Sequence, residues 1–282
     1  MQVFHSKKEL RNSLSSFNTK NHTIGMVPTM GALHQGHLVL VKRAFLEHNC
    51  VVVSIFVNPT QFNNNDDLRK YPNTLDKDVQ LLKTISDKII VFAPTANEIY
   101  AGKIKSNSYQ FNGLDTLMEG KFRAGHFNGV ATIVELLLNA VMPDMAYFGE
   151  KDFQQLQIIK KLVQIAAIPI KIRGCPIVRE PNGLAMSSRN ERLSEEARKN
   201  VGFIYKILKS AKKKFGTKSA IYTIHWVQNQ FKKKPDFKLE YFQITNIDTL
   251  TPVLRKQKGK KYRAFVAVYI EGVRLIDNIA LN

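Results

Sequence analysis

Cysteine is scarce in this chain: Cys50 and Cys175 are the only two in 282 residues. They lie far apart in apolar surroundings, with neither the C-x-x-C spacing of a redox pair nor a histidine at metal-ligand spacing. A disulfide scaffold and a cysteine metal site are thereby excluded, and two reduced structural thiols are expected. Long apolar runs are also missing: no stretch of eighteen or more such residues reads as a membrane span. The first residues, Met1 to Lys8, lack the charged start, apolar stretch and small-residue cleavage site of a signal peptide. A soluble, cytoplasmic protein with no membrane partner is expected.

Acidic residues are the third shortage, 23 against 42 Lys and Arg, for a formal net charge of +19. The imbalance is uneven. Residues 1–175 hold 20 Lys+Arg and 14 Asp+Glu, a net of +6, whereas residues 176–282 hold 22 and 9, a net of +13. A polyanion is therefore a candidate partner. The basic runs Lys212-Lys213-Lys214, Lys232-Lys233-Lys234 and Lys256-Gln257-Lys258-Gly259-Lys260-Lys261 are mostly lysine, without the interleaved aromatics or arginine that nucleic-acid readers favour. A solvated basic surface is the expected reading, and nucleic-acid binding the rival one.

With 44% hydrophobic residues the chain can bury a substantial core, and its length suits two domains. Residues 24–30 read as a short apolar strand ending at Gly31, and 34–48 as an amphipathic helix. The nearly continuous β-branched run 50–57 suits a strand covered on both faces. Helices near 74–86, 128–141 and 152–166 alternate with strands at 88–92, 145–148 and 169–173, which predicts a Rossmann-like, doubly wound parallel α/β sheet over 1–175. In such a sheet ligands sit beyond the carboxyl ends of the strands, so the loops after 30, 57, 93 and 148 should share one crevice. After a polar loop at 178–189 the pattern changes to helices near 194–215 and 217–232 and strands at 238–245, 263–269 and 274–277. A smaller α+β domain is expected over 176–282. No internal repeat or low-complexity segment is visible.

Two motifs suggest phosphate chemistry. Met30-Gly31-Ala32-Leu33-His34-Gln35-Gly36-His37 sets two histidines three residues apart at a helix start, where unpaired N–H groups and the positive dipole end favour phosphate. Taken alone, the pair reads rather as capping or core histidines. Gly183-Leu184-Ala185-Met186-Ser187-Ser188-Arg189 offers two hydroxyls and a guanidinium on a small-residue loop, suited to a clasp over phosphates that is mobile until a ligand arrives. Together, an H-x-G-H turn after the first strand read and an M-S-S-R loop after the last resemble the two signatures of the nucleotidyltransferase and class I aminoacyl-tRNA synthetase-like superfamily.

Within it, Pro28-Thr29-Met30-Gly31-Ala32-Leu33-His34-Gln35-Gly36-His37, Phe56-Val57-Asn58-Pro59-Thr60-Gln61-Phe62, Arg123-Ala124-Gly125-His126-Phe127-Asn128-Gly129-Val130, Gly149-Glu150-Lys151-Asp152-Phe153-Gln154-Gln155 and Met186-Ser187-Ser188-Arg189 resemble the pantothenate synthetase (pantoate–beta-alanine ligase) family. These stretches run in the family's order over about residues 20–195, and the last eighty or so fit only in length and character. The family often has proline where Ala124 stands and aspartate where Asn128 stands. The resemblance implies an ATP-dependent ligase that condenses pantoate with beta-alanine through a pantoyl adenylate, releasing AMP and pyrophosphate on the way to coenzyme A. ATP and Mg²⁺ would be required, with Mg²⁺ held mainly by the ATP phosphates and no metal ligands on the protein. A homodimer is implied, and no nucleic-acid partner.

Residue by residue, the resemblance puts Met30, Gly31, Ala32, Leu33, His34, Gln35, Gly36 and His37 at ATP, with His34 and His37 on phosphate and His37 as the family's acid group. Gln61 would hold pantoate and then beta-alanine, and Gln155 would hold pantoate. Gly149, Glu150, Lys151 and Asp152 would meet ATP, with Lys151 catalytic through the phosphates. Val178 would offer backbone contacts to adenine, and Met186, Ser187, Ser188 and Arg189 would close over the triphosphate, the domain 176–282 acting as a lid. The residue chemistry agrees: Gln61 and Gln155 are uncharged donors and acceptors, suited to a hydroxy acid whose carboxylate must stay nucleophilic. Arg123 and His126 are further candidates for ligand contact.

Overall fold

The computed structural model describes residues 1–17, 22–62, 68–69 and 71–282. The chain divides into two compact units, one of Met1–Glu150 with Gln155–Pro176, the other of Lys151–Gln154 with Ile177–Asn282. No helix among the described residues is long and apolar enough to cross a membrane.

In the first unit six strands, β1 (Gln2–Phe4), β2 (Ile24–Thr29), β3 (Cys50–Ile55), β4 (Ile90–Phe92), β5 (Met145–Gly149) and β6 (Lys171–Cys175), form one parallel sheet in the order β1-β4-β3-β2-β5-β6. Helices α1 (Lys7–Leu14), α2 (Gln35–Glu47), α3 (Leu75–Lys83), α4 (Ala96–Tyr100), α5 (Met118–Phe122), α6 (His126–Val141) and α7 (Phe153–Ile165) connect them, α7 beginning in the second unit. Val27, Val51, Val53 and Val91 pack with Leu38, Val41 and Ala44 of α2 and Leu82 of α3. Their sequence neighbours Met26, Val52 and Phe92 point to the opposite face and are equally buried, as are Val130, Val134 and Leu138 of α6. Burial on both faces is why these strands read as apolar runs rather than alternating ones.

The chain order places the site. From β2 it winds outward through β3 to β4, then returns to the other side of β2 for β5 and β6. The β2–β3 ladder runs to Thr29, but β5 pairs with β2 only at Gly25 and Met26. Pro28, which has no N–H to donate, therefore lies beyond the end of the β2–β5 ladder, where its cost in a central strand is removed. Such a reversal of strand order opens a crevice at the carboxyl ends of the strands. Gly25 is required at the other end of β2, because a Cβ there would stand 2.6 Å from the ring of His48.

In the second unit, α8 (Glu195–Asn200), α9 (Phe203–Thr217) and α10 (Ala220–Lys232) precede an antiparallel sheet of β7 (Lys238–Asn246), β8 (Tyr262–Ile270) and β9 (Val273–Ala280). Ile204, Leu208, Val227 and Phe231 pack with Val266 and Val268 of the middle strand. The single helix expected over 194–215 is broken between α8 and α9. Gly202 lies at the break, and a Cβ on it would stand 2.5 Å from the carbonyl oxygen of Asn182, so the close approach of two backbones overrides helical continuity.

Candidate active site

The loop after β2 is a built structure. The Thr29 hydroxyl donates to the Ser54 carbonyl (2.7 Å) and accepts the Gly31 N–H (3.1 Å). Gly31 and Ala32 both adopt positive φ, +79° and +48°, and a Cβ on Gly31 would stand 3.1 Å from both Asp78 and Ile55. Glycine is thus needed for conformation and for space. Asp78 of α3 secures the turn: its Oδ2 accepts the Ala32 N–H (3.0 Å) and the Thr74 hydroxyl (3.2 Å), and its Oδ1 accepts the Leu33 N–H (2.7 Å). Burial raises the Asp78 carboxyl above the ordinary aspartate range, and the bonds from Leu33, Thr74 and Ala32 oppose that rise.

The two histidines cap α2. His34 is the N-cap residue, its Nδ1 accepting the Gly36 N–H (3.1 Å), and His37 Nδ1 accepts the His34 N–H (3.3 Å) in a reciprocal capping box. The rings lie 4.1 Å apart, tilted by 36°. In a neutral imidazole whose Nδ1 accepts, the proton is on Nε2, so the cap fixes both rings as Nε2–H donors. The capping and phosphate-donor readings of this pair are compatible: one ring nitrogen serves the helix and the other carries the N–H.

Gln61, only 9% exposed, is oriented by Asn58. The Asn58 amide donates to Gln61 Oε1 and to the Gly129 carbonyl, both at 3.1 Å, which uses both its hydrogens. Asn58 Oδ1 accepts from Tyr100 (2.5 Å) and Thr60 (3.1 Å). With its oxygen so fixed, Gln61 turns its Nε2 to the Met30 sulfur at 2.9 Å. A thioether is a weak acceptor, and an incoming carboxylate or hydroxyl oxygen is a better one. Two stretches, joined by residues 31 positions apart in sequence, thus meet. Behind them, the Gln61 carbonyl accepts His126 Nδ1–H (2.9 Å) and Arg123 (3.4 Å), while Arg123 donates to His126 Nε2 (3.1 Å). Arg123 and His126 therefore support Gln61. Gly129 permits the contact, since a Cβ there would stand 2.3 Å from the Thr60 carbonyl oxygen. Gln155 is half-buried near the start of α7, and Gly149 closes β5 before Glu150.

In the second unit, Lys151 and Asp152 form a 3.6 Å ion pair in a short turn whose Lys151 carbonyl accepts from Asn278 at 2.8 Å. The stretch 178–190 is tied down more firmly than a loose clasp requires. Val178 O accepts the Met186 N–H (3.0 Å), and Arg179 holds Asp277 in a bidentate pair (2.6 and 2.9 Å) while donating to the Gly183 carbonyl and lying 3.7 Å from the Tyr205 ring. Buried Asn190 donates to Glu180 (2.7 Å) and to the Ala185 carbonyl (3.1 Å). Ser187 caps a short helical turn by accepting the Arg189 N–H, and Ser188 and Arg189 lie in that turn. The clasp expected over 181–189 is thus a stretch with several internal tethers. Asn190→Ala strands the buried Ala185 carbonyl and the half-buried Glu180 carboxylate, an expected cost of about 1–3 kcal/mol. It should make 181–189 a protease site in a chain otherwise resistant there; equal cleavage of both chains would show that Asn190 does not hold it.

Asp78, Asn58 and Tyr100 were not singled out from sequence. Asn58 lies in the stretch Phe56–Phe62, but no spacing marks it as the residue that aims Gln61.

The family model described as pantoate-beta-alanine ligase matches residues 2–280. The chain is 56% identical over 282 residues to the pantothenate synthetase of Christiangramia forsetii and 54% identical over 282 to that of Flavobacterium psychrophilum, each match covering 100% of both chains. It resembles the crystal structure of pantothenate synthetase from Thermus thermophilus, with a TM-score of 0.91 at 38% identity, covering 100% of this chain and 99% of that one. It also resembles pantoate-beta-alanine ligase from Francisella tularensis, complexed with beta-gamma ATP and beta-alanine, at a TM-score of 0.83 and 37% identity, covering 100% of this chain and 98% of that one. Similarity of this extent, end to end in sequence and in fold, makes the chain an enzyme of the pantoate-beta-alanine ligase family.

Proposed function

We propose that this chain joins pantoate to beta-alanine in two steps. The pantoate carboxylate oxygen attacks the α-phosphorus of ATP, the bond to pyrophosphate breaks, and a pantoyl adenylate forms. The amine of beta-alanine then attacks the acyl carbon, the bond to AMP breaks and the amine proton is lost. The observation that carries this reading is Gln61, its oxygen fixed by Asn58 and its Nε2 left on a thioether that a substrate oxygen can replace. An uncharged amide orients a carboxylate without pairing with it and dulling its attack, which a lysine would do. His34 and His37, presenting Nε2–H, donate to phosphate oxygens that gain charge as pyrophosphate leaves.

Lys151 meets the phosphates as a point charge, with Gly149, Glu150 and Asp152 beside the nucleotide, and Val178 meets adenine through its backbone. Met186, Ser187, Ser188 and Arg189 hold the triphosphate. Among the described residues no group of three or more His, Cys, Asp or Glu side chains is placed to hold a metal. In this proposal the ATP phosphates would hold Mg²⁺, which would shield the triphosphate charge. A cytoplasmic homodimer is proposed as well, supported by the resemblance and by Val39, Phe45 and Leu46, apolar side chains that α2 leaves exposed.

The test is AMP release from ATP, pantoate and beta-alanine with each omitted in turn. Release that does not depend on pantoate sinks the reading. Gln61→Ala and Gln155→Ala are expected to raise the KM for pantoate several-fold, at about 0.5–1.5 kcal/mol per hydrogen bond, with little change in that for ATP. The reverse pattern in steady-state kinetics would mean that the two glutamines serve the nucleotide.

A further inference from the structure

We propose that helices α9 and α10 form a docking surface for the anionic headgroups of a lipid bilayer. From Ala197 to Pro235 the chain carries eleven Lys and Arg and not one Asp or Glu. Neither helix therefore offers its lysines an acidic partner of its own at i±3 or i±4, the usual arrangement on a solvated helix. Lys206, Lys209 and Lys213, spaced along one face of α9, are exposed. The helices pack together, and the fold brings to the lysines the aromatics that the linear runs lack. Lys214 Nζ lies 4.7 Å from the Trp226 ring and 5.9 Å from that of Tyr222, and Lys218 Nζ lies 5.9 Å from Tyr222. Ile221 and Tyr222 are 42% and 47% exposed beside them.

Three features favour lipid over nucleic acid. No arginine occurs between Lys199 and Leu254, so the surface offers point charges and none of the bidentate forks that read phosphate and base edges. The lysine ammonium groups already lie near the faces of Tyr222 and Trp226, where a base would have to stack. Ile221 is an exposed aliphatic side chain next to an aromatic pair, the combination that enters the headgroup layer while lysines at its rim meet lipid charge. The surface lies within the second unit, and the proposal is independent of the ligase reading.

Trp226 is the single tryptophan of the chain, so its emission reports directly on the surface. The experiment titrates the whole protein with vesicles rich in phosphatidylglycerol and with vesicles of phosphatidylcholine alone, following Trp226 emission and flotation. Binding with a blue shift is expected on the anionic vesicles only, reversed by salt. Lys213→Gln with Lys218→Gln, both exposed, should weaken it on the order of twentyfold, about fivefold for each lysine near the surface. Ile221→Ser with Tyr222→Ser should abolish the blue shift while retaining part of the flotation, and AMP release should be unchanged in both variants. The proposal is overturned if anionic vesicles do not bind at low salt or if the lysine variant binds as well as the parent. Tighter binding of a single-stranded oligonucleotide than of the vesicles would also overturn it, in favour of nucleic acid.

Discussion

His37→Ala is expected to lose about a hundredfold or more of its pantoate-dependent ATP–pyrophosphate exchange, the usual cost of removing a donor aimed at developing charge. The same change also deletes a helix cap, because His37 Nδ1 accepts the His34 N–H, and a lost cap costs about 0.5–2 kcal/mol of stability. The two effects separate in His37→Glu. Glutamate at this position of a capping box can still accept the N-cap N–H, but ionised it has no donor to present to phosphate. Its melting temperature should stay near that of the parent while exchange remains as low as in His37→Ala. A folded His37→Ala chain with near-normal exchange would end the phosphate role of this histidine.

Asp78→Ala should lower turnover by a comparable factor although the carboxylate is assigned no contact with substrate. It strands the half-buried N–H groups of Ala32 and Leu33, at most about 1–3 kcal/mol each, and frees a turn held at positive φ. A displacement of 1 Å in that turn can itself cost about a hundredfold in rate. The acid side of the pH profile is a second readout. Burial raises the folded Asp78 carboxyl above its unfolded value, so its contribution to stability is fully present below the unfolded value and is lost as pH rises through the folded one. Proton uptake at Asp78 therefore favours the fold while removing an acceptor from the turn. Activity should decline just above the ordinary aspartate range before any unfolding is seen by circular dichroism. An Asp78→Ala chain with normal turnover and a parent-like acid limb would show that Asp78 is merely structural.

The alternation of strands and helices was legible because both-face burial writes β-branched runs such as 50–55, and amphipathic helices write their own period. β1 escaped notice: three residues at a sheet edge, none fully buried, carry no periodic signal. α4 and α5, five residues each, are too short to show one. The site residues assigned from sequence lie in contiguous motifs, whereas, Asn58 beside Gln61 apart, the residues that hold them act across long separations. Asp78 reaches back 45 and 46 positions to Leu33 and Ala32, and Arg179 reaches forward 98 to Asp277. A buried acid inside an ordinary amphipathic helix such as α3 has no local mark of that task. The tethering of 178–190 was likewise hidden, since Pro181-Asn182-Gly183 reads as flexible until Arg179 and Asn190 are seen to hold the surrounding backbone.

The strand order of the first unit bears on how the chain is made. The central pairing of β2 with β5 joins Gly25 to Met145, 120 residues later, whereas β2 and β3 pair across 26. During synthesis β1 to β4 can assemble early, but β2 must keep one edge bare until Met145–Gly149 has left the ribosome. A parallel sheet completed by so distant a partner forms slowly, and its waiting edge can pair with another chain. Truncated or stalled chains ending before residue 145 are therefore the species of this enzyme most in need of a chaperone.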